Sequence, residues 1–217
     1  MKAVLFDFDG TLADTLPVCF LAFQSVFRIL DQKEVSKEEI LAMFGPSETG
    51  IIHENLVHPD KAQGIEIYYE NYLKHHKELV KHNEEIVRLL GLLKEAGTKL
   101  GIVTGKASRS LRISLDMLGL DGIFDAIITG DDVIEPKPNP EGLNKALSIL
   151  GVSHAEAMFI GDSDADILAG QQAKVFTVGV CWLPDYKPVK LTCRPDHFAE
   201  SIRDFMDFYH NSSLRNG

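Results

Sequence analysis

The sequence predicts an α/β fold in which a parallel β-sheet is covered by helices and interrupted once by an all-helical insertion. Three observations carry this reading. Five short apolar segments each end in small, polar or acidic residues, helical periodicity separates most of them, and from about 15 to 82 no strand pattern occurs at all. Strand alternating with helix pairs strands in parallel, covers both faces of the sheet, and puts chemistry at the carboxyl ends of the strands.

Taken in order, Lys2 to Phe8 is nearly continuous apolar sequence closed by acid and glycine, the pattern of a strand buried on both faces. The region 15–82 reads as helices over Val18 to Leu30, Ser36 to Met43, and Asp60 to about Val80, the last with Ile65, Tyr68, Tyr69, Tyr72, His76 and Leu79 at helix spacing. Within it, the run Gly45-Pro46-Ser47-Glu48-Thr49-Gly50 concentrates turn formers and reads equally as a helix connector or as a loop reaching a ligand. Glu84 to Ala96 puts Ile86, Leu89, Leu90 and Leu93 on one stripe, with Asn83 as N-cap and Gly97 as the stop.

The second strand, Leu100 to Val103, leads into Thr104-Gly105, and a helix follows near 107–118. Ala126 to Ile128 runs into Thr129-Gly130 before a helix near 140–150, and Met158 to Ile160 runs into Gly161-Asp162 before a helix near 163–173. Val175 to Val180 is the fifth strand. Beyond it Pro184, Pro188 and Pro195 mark an irregular stretch, and an amphipathic helix is expected from about His197 to Tyr209.

Composition narrows the function. The 217 residues are 45% apolar and 25% charged, the usage of a globular protein, and the net charge is −10. That balance, with no basic stripe, opposes nonspecific binding to nucleic acid. No apolar run approaches the roughly 20 residues that span a bilayer. The N-terminal apolar run is interrupted by Asp7 and Asp9, which argues against a secretory leader, and the odd number of cysteines (Cys19, Cys181, Cys193) fits reduced thiols. A cytoplasmic location is the expectation.

The chemistry concentrates at strand ends. Asp7-Phe8-Asp9-Gly10-Thr11 closes the first strand, and strand alternation sends both carboxylates to one side. Like charges so placed repel unless they share a cation, and a hard divalent ion such as Mg2+ accepts oxygen ligands of this kind. An isolated Asp-x-Asp would read at least as well as a helix cap. A second cluster, Gly161-Asp162-Ser163-Asp164-Ala165-Asp166, closes the fourth strand. It is no EF-hand loop, because its sixth position is Ile167 and its twelfth Ala173. Asp162 would complete a cation site, Asp166 would ligate or support it, and Asp164 reads as a solvated cap. Thr104-Gly105 offers a hydroxyl and backbone N–H groups for phosphate oxygens ahead of a helix, and Lys137 is held in the turn Glu135-Pro136-Lys137-Pro138. The histidines of the insertion, His53, His58, His75, His76 and His82, are irregularly spaced and read as exposed helix residues, not metal ligands.

Together, Asp7-x-Asp9-Gly10-Thr11, Thr104, Lys137-Pro138 and Gly161-Asp162-x-x-x-Asp166 resemble, in order, the four motifs of the haloacid dehalogenase superfamily, over residues 1 to about 180. The resemblance is greatest to its phosphoglycolate phosphatase-like and beta-phosphoglucomutase-like branch. It implies a Rossmann-like core at 1–14 and 83–217 with a helical cap at 15–82. It also implies a Mg2+-dependent phosphatase acting on a small phosphate ester, with a beta-phosphoglucomutase-type phosphomutase or an inorganic pyrophosphatase as alternatives. Asp7 would be the nucleophile and Asp9 the general acid and base, and Thr104, Gly105 and Lys137 would hold phosphate. The Asp7 carboxylate, the Asp9 carbonyl and Asp162 would hold the metal, with Asp166 and Thr11 in support. Dehalogenases proper lack the second carboxylate, so Asp9 speaks against that activity. The Gly45 to Gly50 loop, the Pro17 region and the Trp182 loop are the candidate contacts to a leaving group.

Overall fold

The computed structural model describes residues 1–184, 186 and 190–214, so that Pro188 of the irregular stretch lies outside the described residues. The sheet has six parallel strands in the order β3-β2-β1-β4-β5-β6: β1 Ala3–Phe6, β2 Lys99–Val103, β3 Ala126–Ile128, β4 Ala157–Gly161, β5 Phe176–Val180 and β6 His197–Ala199. The central strand β1 is buried along its whole length, with Val4 opposite Leu100 on one side and Met158 on the other. This explains its unbroken apolar sequence, since neither face nor edge meets water.

Alternate residues feed two cores. Val4, Phe6, Ile102, Met158 and Ile160 face α5 (Glu84–Glu95), α6 (Ser108–Leu118) and α9 (Ile202–Leu214). Ala3, Leu5, Val103 and Phe159 face α7 (Glu141–Leu150) and α8 (Asp164–Gln172). The expected caps hold α5: the Asn83 side chain accepts from the N–H groups of Glu85 and Ile86, and Gly97 turns the chain with φ +76°.

Between β1 and α5 the chain forms four helices and no strand: α1 Leu16–Leu30, α2 Lys37–Ala42, α3 Glu48–Asn55 and α4 Lys61–Leu79. α1 and α4 pack through aromatic rings, Phe23 lying 4.6 Å from Tyr68, an arrangement that adds about 0.5–1.5 kcal/mol beyond the area it buries. α4 in turn leans on α6. Tyr72 Oη is 2.7 Å and His76 Nε2 3.0 Å from Ser114 Oγ, and Arg109 donates two bonds to Glu66.

Three expectations are corrected. The turn-rich run at 45–50 is only half a loop, because Glu48 begins α3. The segment at His197 opens as a short edge strand, and the last helix starts at Ile202; three residues are too few to show a period, and their pairing with β5 is set by the backbone. His76 is 1% exposed, not a surface residue, because it falls on the face of α4 that meets α6.

Candidate active site

At the carboxyl end of β1 the Asp7 N–H still donates to Ile160 O, 2.8 Å away, which holds Asp7 between the ends of β1 and β4. This is where the strand order reverses, the place at which open parallel sheets leave a crevice. The chain then turns tightly: Phe8 O accepts from Leu12 N, and Gly10, at φ +82°, donates to Ala13 O. Gly10 passes so close to the Asp162 carboxylate and the Tyr186 ring that a Cβ there would overlap both.

Thr11 Oγ1 donates to Asp162 Oδ1 (2.9 Å) and Tyr186 Oη to Asp162 Oδ2 (2.7 Å), so both oxygens of that carboxylate are oriented. Trp182, buried, donates its indole N–H to Thr11 O and fixes the turn in place. Asp166, in the first turn of α8, accepts from Ser163 N and Oγ through one oxygen and from Lys137 Nζ (2.6 Å) through the other. Lys137 Nζ also lies 2.8 Å from Asp7 Oδ1, close enough for an ion pair though not aligned for a hydrogen bond, and Asp7 Oδ1 has no hydrogen-bond partner.

Asp7, Asp162 and Asp166 each offer an oxygen within 4.8 Å of the others, all three buried. Burial above all pushes the Asp7 carboxyl up to about 6, against the pull of Lys137. Burial, then the charges of Asp166 and Asp7, push Asp162 up to about 7. One ammonium thus faces three carboxyl groups, and this corner lacks positive charge.

Asp9 turns the other way. Its carboxylate accepts from Thr15 Oγ1 and lies 3.1 Å from Lys106 Nζ. Lys106, just after Thr104-Gly105, is enclosed by the helical insertion: Glu48 Oε1 is 3.3 Å away, Cys19 Sγ 3.5 Å, and the Tyr72 ring centroid 4.8 Å. Burial opposes the charge on Lys106, yet Asp9 and its other neighbours raise it well above the ordinary lysine range. Burial pushes the Cys19 thiol up to about 12, which makes it inert at neutral pH.

Asp7, Asp9, Thr104, Gly105, Lys137 and Asp162 line one cavity of about 260 Å³. Thr11 and Asp166 stand behind it, bonded to Asp162 and Lys137. Asp166, expected mainly in support, contributes a full member of the carboxylate group, whereas the Asp9 side chain lies outside it. Asp164, half-buried, is not the cap of α8. It accepts from Thr192 N and Oγ1 and from Cys193 N, and Ser163 caps α8. The partners that Lys106, Glu48 and Tyr186 find here were not foreseen, although Lys106 belongs to the Thr104-Gly105 strand end and Glu48 to the Gly45 to Gly50 run. Lys106 had a signal, its place directly after the Thr-Gly pair, but Glu48 and Tyr186 reach the site through contacts that no local pattern encodes. Of the candidate leaving-group contacts, Leu16, Gly45, Pro46, Glu48 and Tyr186 line the cavity, whereas Trp182 is spent on the core.

Known proteins resemble this chain along most of its length. Residues 4–180 match the family described as haloacid dehalogenase-like hydrolase. A pyrophosphatase PpaX from Listeria welshimeri is 36% identical over 208 residues, covering 95% of this chain and 91% of that protein, and one from Bacillus cereus is 33% identical over 209 residues, covering 95% of each. Among solved structures, CbbY from Rhodobacter sphaeroides, in a variant bound to xylulose-(1,5)bisphosphate, superposes with TM-score 0.81 at 24% identity over 93% of this chain and 95% of that one. A predicted phosphoglycolate phosphatase from Haemophilus somnus does so with TM-score 0.79 at 21% identity over 96% and 98%. Those two likenesses speak to the fold. The family match spans every strand end that builds the cavity, and on that ground the chain belongs to the haloacid dehalogenase-like hydrolases.

Proposed function

We propose that the chain is a Mg2+-dependent phosphatase that hydrolyses a small-molecule phosphate monoester through an aspartyl-phosphate on Asp7. The observation that carries this is Asp7 itself: a buried carboxylate 2.8 Å from Lys137 that lines the same cavity as Asp9, Thr104 and Asp162.

Asp7 attacks phosphorus in line and splits one displacement into two. For this Asp9 must enter the cycle protonated: it gives that proton to the departing oxygen, and the carboxylate so formed takes one from the water that cleaves the intermediate. Lys106 and Thr15 hold its carboxylate in place. Lys137, Thr104 and the backbone N–H of Gly105 bind the other phosphoryl oxygens and are preorganised for the charge that develops there.

The residues fit a hard divalent cation. Three buried carboxylates facing one ammonium leave two negative charges uncompensated, and oxygen donors are what Mg2+ selects. Asp7, Asp162 and the Asp9 carbonyl would hold it, with Asp166 alongside, and it would supply the positive charge that lets an anionic nucleophile meet an anionic phosphate. Residues 1–14 and 83–217 form the core domain, and 15–82 form a cap that shelters the reaction from bulk water. Free Cys19, Cys181 and Cys193 support a reducing, cytoplasmic setting.

A second reading, inorganic pyrophosphatase, is favoured by the relatives named PpaX; the same residues would act, with phosphate departing from Asp7-bound phosphorus. The test common to both is Asp7→Asn. Phosphate release from a metabolite panel with Mg2+ should fall at least about 1000-fold while the fold is retained, and normal turnover would remove Asp7 as nucleophile.

A further inference from the structure

We propose that the leaving group accepted by this site is uncharged and apolar, so that the substrate is an alkyl or aryl phosphate monoester and not diphosphate or a carboxylate-bearing ester. This rests on the phosphatase reading and concerns the half of the cavity opposite Asp7.

The insertion lines that half with apolar residues, among them Leu16, Phe23, Leu41, Phe44 and Ile51, and with one charged residue, Glu48. Leu41 and Phe44 remain 43% and 42% exposed although they line the cavity, so apolar surface is left open where a ligand would cover it.

Charge points the same way. Among the described residues, the basic side chains lining the cavity are Lys106 and Lys137. Lys137 stands beside Asp7 and Asp166, where it serves the transferring phosphoryl group and not the leaving group. Lys106, with no exposed side-chain surface, lies between the carboxyl groups of Asp9 and Glu48, one cation against two acids. A departing phosphate or carboxylate would therefore enter a low-dielectric space that offers it no unpaired cation, a costly placement for an anion. A hydrocarbon leaving group needs none and gains by covering the exposed rings and methyls.

The test measures kcat/KM with Mg2+ for methyl, ethyl, butyl and hexyl phosphate, whose leaving alcohols differ little in acidity, and for phosphoglycolate and inorganic diphosphate. The proposal expects kcat/KM to rise along the alkyl series, by up to about fourfold per added methylene, and to lie at least about tenfold lower for the two anionic leaving groups than for hexyl phosphate. Leu41→Lys, at an exposed position where folding is preserved and a thermal melt verifies it, should draw the hexyl-to-methyl ratio toward one and raise the rate on diphosphate. A flat or falling alkyl series, or diphosphate as the better substrate, overturns the proposal; with Asp7→Asn inactive in that same assay, the phosphatase reading still stands. If no compound releases phosphate, the phosphatase reading fails and this proposal falls with it.

Discussion

Lys106 Nζ lies 3.3 Å from Glu48 Oε1, with 0% and 7% of the two side chains exposed, and this pair joins the loop after β2 to the first residue of α3. Glu48 does more than neutralise the lysine. Its oxygens also accept from Ala107 N and Ser110 Oγ, at the start of α6, so one carboxylate from the insertion satisfies donors that the helix cannot satisfy itself. The insertion is thereby fastened beside Asp9, the other acid that Lys106 touches.

Without Glu48 the buried Lys106 keeps Asp9 as its partner, but Ala107 N and Ser110 Oγ lose a shared acceptor. Glu48→Ala should therefore destabilise the protein by about 2 kcal/mol, the scale of a buried donor left unmade, and Glu48→Gln, which keeps an acceptor for Ala107 and Ser110, by less. Coupling Glu48→Gln with Lys106→Met should cost less than the sum of the single changes. Urea unfolding midpoints of the wild type, Glu48→Ala, Glu48→Gln, Lys106→Met and the double variant decide this; a Glu48→Ala loss within about 0.5 kcal/mol, the range of ordinary surface changes, would show the pair to be idle.

Gly10 offers a sharper test of the site than of the fold. Its φ of +82° suits glycine, and a Cβ would press on the Asp162 carboxylate and the Tyr186 ring. Gly10→Ala should cost about 1–2 kcal/mol in backbone strain, but kcat/KM should fall on the order of 100-fold, since a displacement of about 1 Å at a reacting centre has that effect. Equal, small changes in both quantities would contradict the close approach of this turn to Asp162.

Much of this was legible in the sequence because it is local. Asp7, Asp9, Thr104 and Asp162 follow directly on apolar segments, Lys137 lies in the Pro-rich turn of the loop after the third, and a parallel sheet gathers such ends along one edge whatever the strand order. Three of the four helices of the insertion showed their period, α3 being hidden by the turn formers at its start, and Asn83 showed its cap. What stayed hidden depends on distant partners. Glu48 looked like one polar residue of a turn until α6 was packed against it; Asp164 looked like a cap until the segment around Thr192 folded beside it; β6 exists by virtue of the free edge of β5. His76 had the right spacing in α4, but only the neighbouring α6 decides that its face is covered.

His76 should make stability depend on pH. Burial first, then the charge of Lys106, lower its pKa to about 4, against a smaller opposing effect of Asp9. The unfolded chain, with an ordinary value near 6.5, binds the proton more readily. Stability contributed by the neutral ring is therefore complete above about 6.5 and is lost as pH falls toward 4, at roughly 1.4 kcal/mol per unit within that window. Comparing the wild type with His76→Gln separates this from other titrating groups: the difference in unfolding free energy should shrink by about 2 kcal/mol between pH 7 and pH 5. A constant difference would show that the ring is protonated equally in both states.

Tyr186 should govern how tightly the metal is held, not how fast the bound complex reacts. Its hydroxyl donates to Asp162 Oδ2 at 2.7 Å while Thr11 donates to Oδ1, so the carboxylate is gripped at both oxygens and presented toward Asp7. Tyr186→Phe keeps the ring that packs beside Gly10 and frees one oxygen to rotate. Groups that orient a metal ligand in this way are worth about 10–100-fold in affinity. The Mg2+ concentration for half-maximal activity should rise by that factor in Tyr186→Phe while kcat at saturating Mg2+ stays within about twofold of wild type. Chelation should stop both proteins and added Mg2+ restore them, the variant needing the higher concentration. An unchanged Mg2+ titration would mean that Thr11 alone suffices to orient Asp162, and full activity in excess chelator would remove the metal from the mechanism altogether.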